Sequence, residues 1–144
     1  MSDETAILAA ARAAGRLFDV VGAVIVQGGR ALIVQRPPES WMGGYFELPG
    51  GKVEPGETLA AAVAREVGEE TGLAPLAVGA YLGCFDYDSR GGKPCRQFNF
   101  MVEAAPGEIA LQEHIAFAWL APDELERYPI SPEVASVLRG LPGW

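Results

Sequence analysis

Along the chain the spacing of apolar residues changes period several times, and each change marks an element. Residues 3–17 are Ala-rich and carry Ile7, Leu8, Ala11 and Leu17 as an apolar stripe, with Ser2 or Asp3 placed as cap; they predict a short helix. Two nearly continuous apolar runs follow, "FDVVGAVIVQ" and "ALIVQR", on either side of Gly28-Gly29-Arg30, and read as strand, turn and strand. "PPESWMGGY" is rich in turn formers, and a short "FELP" strand leads into Gly50-Gly51. Helical periodicity returns from about Thr58 to Thr71, where Gly72 closes the helix. Beyond Pro75, "LAVGAYLGCFDYD" and "CRQFNFMVEA" predict two strands joined by a hairpin loop over Ser89-Arg90-Gly91-Gly92-Lys93. "IAFAWLA" predicts another strand, Pro122 to Leu125 a brief helix, and Ser131-Pro132-Glu133 the cap of a last helix ending at Arg139. Strands before and after a central helix predict an α/β protein, a mixed sheet covered by helices. No repeat or long linker interrupts residues 1–144, so one domain is expected.

Composition narrows the partners. The chain has 49% hydrophobic and 21% charged residues and a formal charge of −8, ordinary for a globular protein but hostile to nucleic-acid backbones. A small anionic substrate remains acceptable where local arginines or metal ions neutralise it. No apolar run is long enough for a bilayer, and Ser2-Asp3-Glu4 lacks the basic start of a signal peptide, so a cytoplasmic location is expected. Cys84 and Cys95 fall in neighbouring strands and read as reduced, packed thiols. His114 is the one histidine, which removes zinc spacings; it reads as a surface residue.

The segment "REVGEE" carries the chemistry. On a helix Glu66, Glu69 and Glu70 stand at i, i+3 and i+4, a like-charge arrangement that costs roughly 0.2–0.5 kcal/mol per pair on an exposed face. They also lie near the helix C-terminus, where the macrodipole is unfavourable to acids. At about 100° per residue, with Leu59 at zero, Val63 and Val67 fall near 40° and 80° and define the buried stripe, while Glu70, Glu66 and Glu69 fall near 20°, 340° and 280°. The acids thus flank or overlap the inward face. Shielded carboxylates escape their repulsion by protonation or by binding cations, and clustered hard oxygens without sulfur or imidazole suit Mg²⁺ or Mn²⁺. Calcium shares the ligand chemistry, although the spacing is not that of an EF-hand loop. Upstream, Gly50-Gly51 permits close backbone approach, and the Gly51 carbonyl could complete a metal's oxygen shell. Arg65 could pair with Glu57 and fix the loop against the helix.

Gly51, Glu57, Arg65, Glu66, Val67, Glu69, Glu70, Gly72 and Leu73 together resemble the Nudix box, G-x5-E-x7-R-E-U-x-E-E-x-G-U with U bulky and aliphatic, over residues 51–73. Every fixed position is matched. The resemblance implies a Nudix-like α/β/α sandwich with a catalytic loop–helix–loop. It also implies Mg²⁺-dependent hydrolysis of a nucleoside diphosphate linked to a moiety X. Glu66, Glu69 and Glu70, helped by the Gly51 carbonyl, would hold the metal, while Glu57 braces Arg65. For a triphosphate the products would be a monophosphate and pyrophosphate. In the family the general base is either the acid at Glu66 or a later loop acid, a place that Glu113 occupies here as ligand or base.

The stretch from Arg36 through "PPESWMGGYFELPGG" is similar in spacing to MutT-type members, in which an arginine at this place contacts substrate phosphate. "YPISPEV" resembles the segment in which an asparagine reads oxidised guanine, but Ser131 stands there. Trp41, Tyr45 and Phe46 are candidates to stack a base. Phe98 and Phe100 share one face of their strand, Gln97 and Asn99 the other, and Arg96 and Asn99 are candidate polar readers. The N-terminal helix is additional to the minimal family domain and is a candidate surface for a homodimer. Nucleotide sugars, ADP-ribose and dinucleotides are alternative substrates. A catalytically silent nucleotide sensor is the alternative from another class, although such domains usually lose box glutamates and this chain keeps them all.

Overall fold

The computed structural model describes residues 4–144. Helix α1 (Glu4–Ala13) leads into β1 (Phe18–Val24), β2 (Val26–Gln27), β3 (Arg30–Gln35), β4 (Phe46–Glu47) and β5 (Gly50–Lys52). Helix α2 (Leu59–Thr71) follows, then β6 (Pro75–Asp88), β7 (Pro94–Ala104), β8 (Ala116–Leu120), a 3-10 helix over Pro122–Arg127 and α3 (Pro132–Arg139).

Two sheets share the strands. The first has the order β5-β1-β7-β6. It is mixed: β1 runs parallel to β7 and antiparallel to β5, and β6 and β7 form the hairpin closed at residues 89–93. In the second, β3 pairs antiparallel with β8 along its length and with β2 and β4 at its two ends. "FDVVGAVIVQ" is therefore not one strand. It divides at Ile25, so that β1 joins the first sheet and β2 turns back on β3 in the second. A continuous apolar run conceals this because the residues leading into the break, Val20 to Ile25, are buried without alternation.

Helices cover both faces, the α/β/α arrangement that the box implied. On one side α1 and α2 pack Ala11, Leu59, Val63 and Val67 against Val21, Ala23, Phe98 and Phe100. On the other, Val134 and Leu138 of α3 and Leu125 pack against Val24, Ile33, Phe46 and Leu120. No helix of the described residues is long and apolar enough to cross a membrane.

Helix α1 is shorter than its composition predicts. It ends at Ala13, the chain turns at Gly15 with φ of 76°, and Leu17 is left 59% exposed outside the stripe; the caps read at Ser2 and Asp3 lie outside the described residues. Ile7, Leu8 and Ala11 pack against this chain's own core. Its first residue also has a partner: the Glu4 carboxylate accepts from the backbone N–H of Leu59 at 2.9 Å and of Ala60 at 3.2 Å. Thr58 Oγ1 takes the Ala61 N–H at 3.0 Å. The first three orphan donors of α2 are thus satisfied, two of them from another element. At the other end Gly72 adopts φ of 75° and returns its N–H to the Gly68 carbonyl. The cysteines are both free, but only Cys95 is packed; Cys84 is exposed on β6.

Candidate active site

The helical wheel of α2 is realised with one acid out and two in. Glu66 is 8% exposed, the Glu70 side chain 12% and the Glu69 side chain 57%. Glu66 lies over β5 so closely that a Cβ on residue 51 would stand 2.5 Å from its Oε2. Only glycine there leaves the carboxylate its place. Burial pushes the Glu66 carboxyl up; Arg65 opposes the rise, and the charges of Glu70 and Glu69 add to it.

Two cations compensate this cluster. Arg65 reaches Glu57 through Nε at 2.7 Å and Nη2 at 2.9 Å, a two-pronged pair. Its Nη1 donates to Glu66 at 2.9 Å and to Glu69 at 3.3 Å, and Nη2 also donates to the Lys52 carbonyl at 3.0 Å. The Arg65 bonds, with the backbone N–H of Glu54, pull Glu57 down to about 2. The sequence-level pairing of Arg65 with Glu57 is thus present, and it ties the loop after β5 to α2.

His114 is the second cation and the correction to the sequence reading. Its side chain is 6% exposed, with Nε2 2.8 Å from Glu47 Oε2 and Nδ1 3.3 Å from Glu70 Oε2. The Nδ1 contact is an ion pair by distance but lacks hydrogen-bond geometry, so this buried nitrogen has no hydrogen-bond partner among the described residues. Burial pulls the imidazole pKa down, yet Glu47 and Glu70 outweigh it and raise it to about 9. Glu47 in turn accepts from Arg36 Nη1 at 3.2 Å, while Arg36 Nε donates to the Trp41 carbonyl at 2.6 Å. Arg36, Glu47, His114 and Glu70 form one line of alternating charge.

Neither Glu47 nor His114 was among the sequence candidates. Phe46 belongs to the core, so alternation along β4 must turn Glu47 to the opposite face; that signal was present. For His114 the sequence offered only adjacency to Glu113.

These groups open onto a cleft of about 1810 Å³ lined by Arg36, Trp41, Glu47, Gly51, Glu57, Arg65, Glu66, Glu69, Glu70, Glu113, His114 and Ser131, among others. Tyr45 and Phe46 line it as well, and the Trp41 ring stacks on Tyr87 at 5.7 Å between centroids. Glu113 is exposed at this cleft. The Ser131 hydroxyl accepts the Val134 N–H at 3.2 Å as the cap of α3. Arg96 and Asn99 do not line the cleft. Arg96 is held across the hairpin by Asp86 at 2.6 and 3.0 Å, and Asn99 is fully buried beneath Gln97.

The donors fit a hard divalent cation in kind: carboxylate oxygens within one turn of α2, one of them lying in the space that the missing side chain of Gly51 leaves. They are not gathered for it, for no three acidic, histidine or cysteine side chains of the described residues converge on one point. Arg65 and His114 explain this, since each draws part of the cluster toward itself. Three carboxylates within one turn of α2, two of them nearly buried, are the arrangement that supports a cation there.

An acid-faced helix braced by an arginine, with a second arginine across an open cleft, suits an enzyme that hydrolyses phosphoric anhydrides with a metal's help. A model described as the NUDIX domain matches residues 16–141, and the chain belongs to the NUDIX family. It is similar to a CTP pyrophosphohydrolase of Escherichia coli, 34% identical over 117 residues that cover 81% of this chain and 85% of that protein. It is also similar to a putative 8-oxo-dGTP diphosphatase 2 of Mycobacterium tuberculosis, 44% identical over 74% of each chain. A crystal structure of a MutT NUDIX hydrolase from Burkholderia pseudomallei superposes with a TM-score of 0.75 at 30% identity, covering 86% of this chain and 97% of the other. The chain is accordingly a MutT-like hydrolase, and divalent metal is what its family generally uses.

Proposed function

We propose that the protein hydrolyses a nucleoside triphosphate, ribo or deoxy, to the monophosphate and pyrophosphate, with Mg²⁺ as the cofactor and Mn²⁺ as a substitute. The observation that carries the reading is the presence of Glu66, Glu69, Glu70 and Arg36 on one cleft whose far side is aromatic. The names of the two relatives, each with a nucleoside triphosphate in it, support it. Glu66, Glu69, Glu70 and the Gly51 carbonyl would hold the metal, with Glu113 as a further ligand from the cleft.

A bound divalent cation supplies charge neutralisation for phosphate oxygens and lowers the pKa of water. This chain's residues do the rest. Arg36, anchored by Glu47 and the Trp41 carbonyl, offers its guanidinium to a phosphate. Arg65, fixed by Glu57, holds Glu66 against Gly51. Glu66, or Glu113 from the loop side of the cleft, takes a proton from the water that attacks phosphorus. The anhydride P–O bond breaks, and pyrophosphate leaves.

The test is a panel of nucleoside triphosphates, nucleotide sugars, ADP-ribose and dinucleotides, assayed for phosphate and pyrophosphate release with Mg²⁺, with Mn²⁺ and with chelator. Pyrophosphate release from triphosphates, abolished by chelator, is expected. Tight binding of one nucleotide without turnover of any would replace this reading with that of a sensor.

A further inference from the structure

The sheet face that floors the cleft carries an amide relay. Strands β1 and β7 run parallel there, with Gly22 beside Asn99 and Val20 beside Gln97. Asn99 is 0% exposed, and its Nδ2 donates to the Gly83 carbonyl at 3.2 Å. A backbone carbonyl can only accept, so this bond decides which way the Asn99 amide faces. Its Oδ1 is then the acceptor, and Gln97 Nε2 donates to it at 2.9 Å. The second amide is fixed by the first. Gln97 Oε1 has no partner among the described residues, and the side chain lines the cleft.

Gly22 provides the room. A Cβ there would come within 2.4 Å of Gln97 Nε2 and 2.6 Å of Asn99 Oδ1, so any other residue would break the relay. Aromatic side chains stand on the same face of the sheet. Phe85 is the cross-strand neighbour of Gln97, its ring 6.3 Å from that of Tyr87, and both rings line the cleft.

We infer that Gln97 is a specificity-determining residue, whose fixed Oε1 accepts a hydrogen bond from the exocyclic amino group of a nucleobase held against Phe85 and Tyr87. This rests on the reading that the protein hydrolyses nucleoside triphosphates. The bases meant are cytosine and guanine, each of which offers such a donor. Uracil and thymine put a carbonyl oxygen where cytosine has its amino group, and two acceptors then face each other. A site built to pair with a polar group rejects a ligand that leaves its own group unpaired.

Two substrate pairs isolate the contact: CTP against UTP, and GTP against ITP, which differ in the 2-amino group alone. In the wild type, one pair or both should show kcat/KM favouring the amino base by roughly 10- to 100-fold. Gln97→Met, which keeps the length and removes the carbonyl, should bring that ratio within about threefold of unity, with the loss falling mainly on KM of the amino-bearing substrate. Equal handling within both pairs by the wild type would overturn the inference, and so would a preference that survives in Gln97→Met. The wild-type comparison needs no variant to fold. If no triphosphate is turned over at all, the functional reading itself fails, a result unlike either of these.

Discussion

The acid helix is held from two sides, and the sides differ. Arg65 works from within the sequence neighbourhood: its carboxylate partners Glu57, Glu66 and Glu69 lie eight, one and four positions away. It is two-pronged, partly exposed and tied to a loop. His114 comes from the segment before β8, 67 positions from Glu47, is nearly sealed from solvent, and spans Glu47 and Glu70 across two elements. The Arg65 side sets where Glu66 sits relative to Gly51. The His114 side joins α2 to the strand that carries Arg36's anchor. One cluster thus answers to a local brace and to a tertiary one, and the two should fail differently.

The largest effect should come from the acids themselves. Glu69→Gln and Glu70→Gln should each reduce kcat by roughly 10²- to 10⁴-fold with an unchanged circular-dichroism spectrum. A near-normal rate would remove that residue from the metal shell. Loss of His114 comes next. His114→Ala should lower stability by roughly 2 kcal/mol, because it leaves two carboxylates that shared a cation within a partly buried site. It should also weaken catalysis less than either Gln substitution. Denaturant melts and kinetics on one preparation separate the two effects, and unchanged stability would show that the buried contacts contribute nothing.

The pH dependence sharpens the contrast, read on chelator-treated protein. Glu57 has a folded pKa of about 2 against an ordinary 4.5, so its contribution is complete above 4.5 and disappears as pH falls through 2. Melting curves of the wild type and Glu57→Gln should therefore converge in acid. His114 has a folded pKa of about 9 against an ordinary 6.5, so its contribution is complete below 6.5 and disappears as pH rises through 9. Wild type and His114→Ala should converge in alkali, and convergence at the same end would refute the division of labour. The smallest effect is expected from Ser131→Asn. Asparagine caps a helix as well as serine, so stability should stay within about 0.5 kcal/mol. Preference for an oxidised guanine triphosphate should rise several-fold, and no rise would count against the placement of that segment by resemblance to MutT.

The same contrast explains what could be read in advance. The three glutamates, Arg65 and Glu57 were legible because helix geometry turns short spacings into contacts. The wheel set all three acids at or beside the inward face, which holds for Glu66 and Glu70 but not for Glu69, whose side chain is 57% exposed. The strand pair around residues 89–93 and the caps at Gly72 and Ser131 were legible for the same local reason. The split of β1 from β2 at Ile25 was not, since the apolar stretch from Val20 to Val26 carries no alternation to show where it changes sheets. Nor was the amide relay of Asn99 and Gln97, which depends on a carbonyl from β6, or the burial of His114, whose partners come from β4 and α2. Arg96 shows the reverse error. Its position on β7 suggested a reader of substrate, but the register sets Asp86 directly opposite it and claims the guanidinium.

Helix α1 lies ahead of the residues that the NUDIX domain model matches. Yet the amides that begin the acid helix close on the carboxylate of Glu4. A protein trimmed at residue 16 would still read as a whole family domain while its reactive helix started with two bare donors. Comparisons of activity between full-length and shortened versions would then report on the seating of α2 as much as on anything the removed segment does by itself.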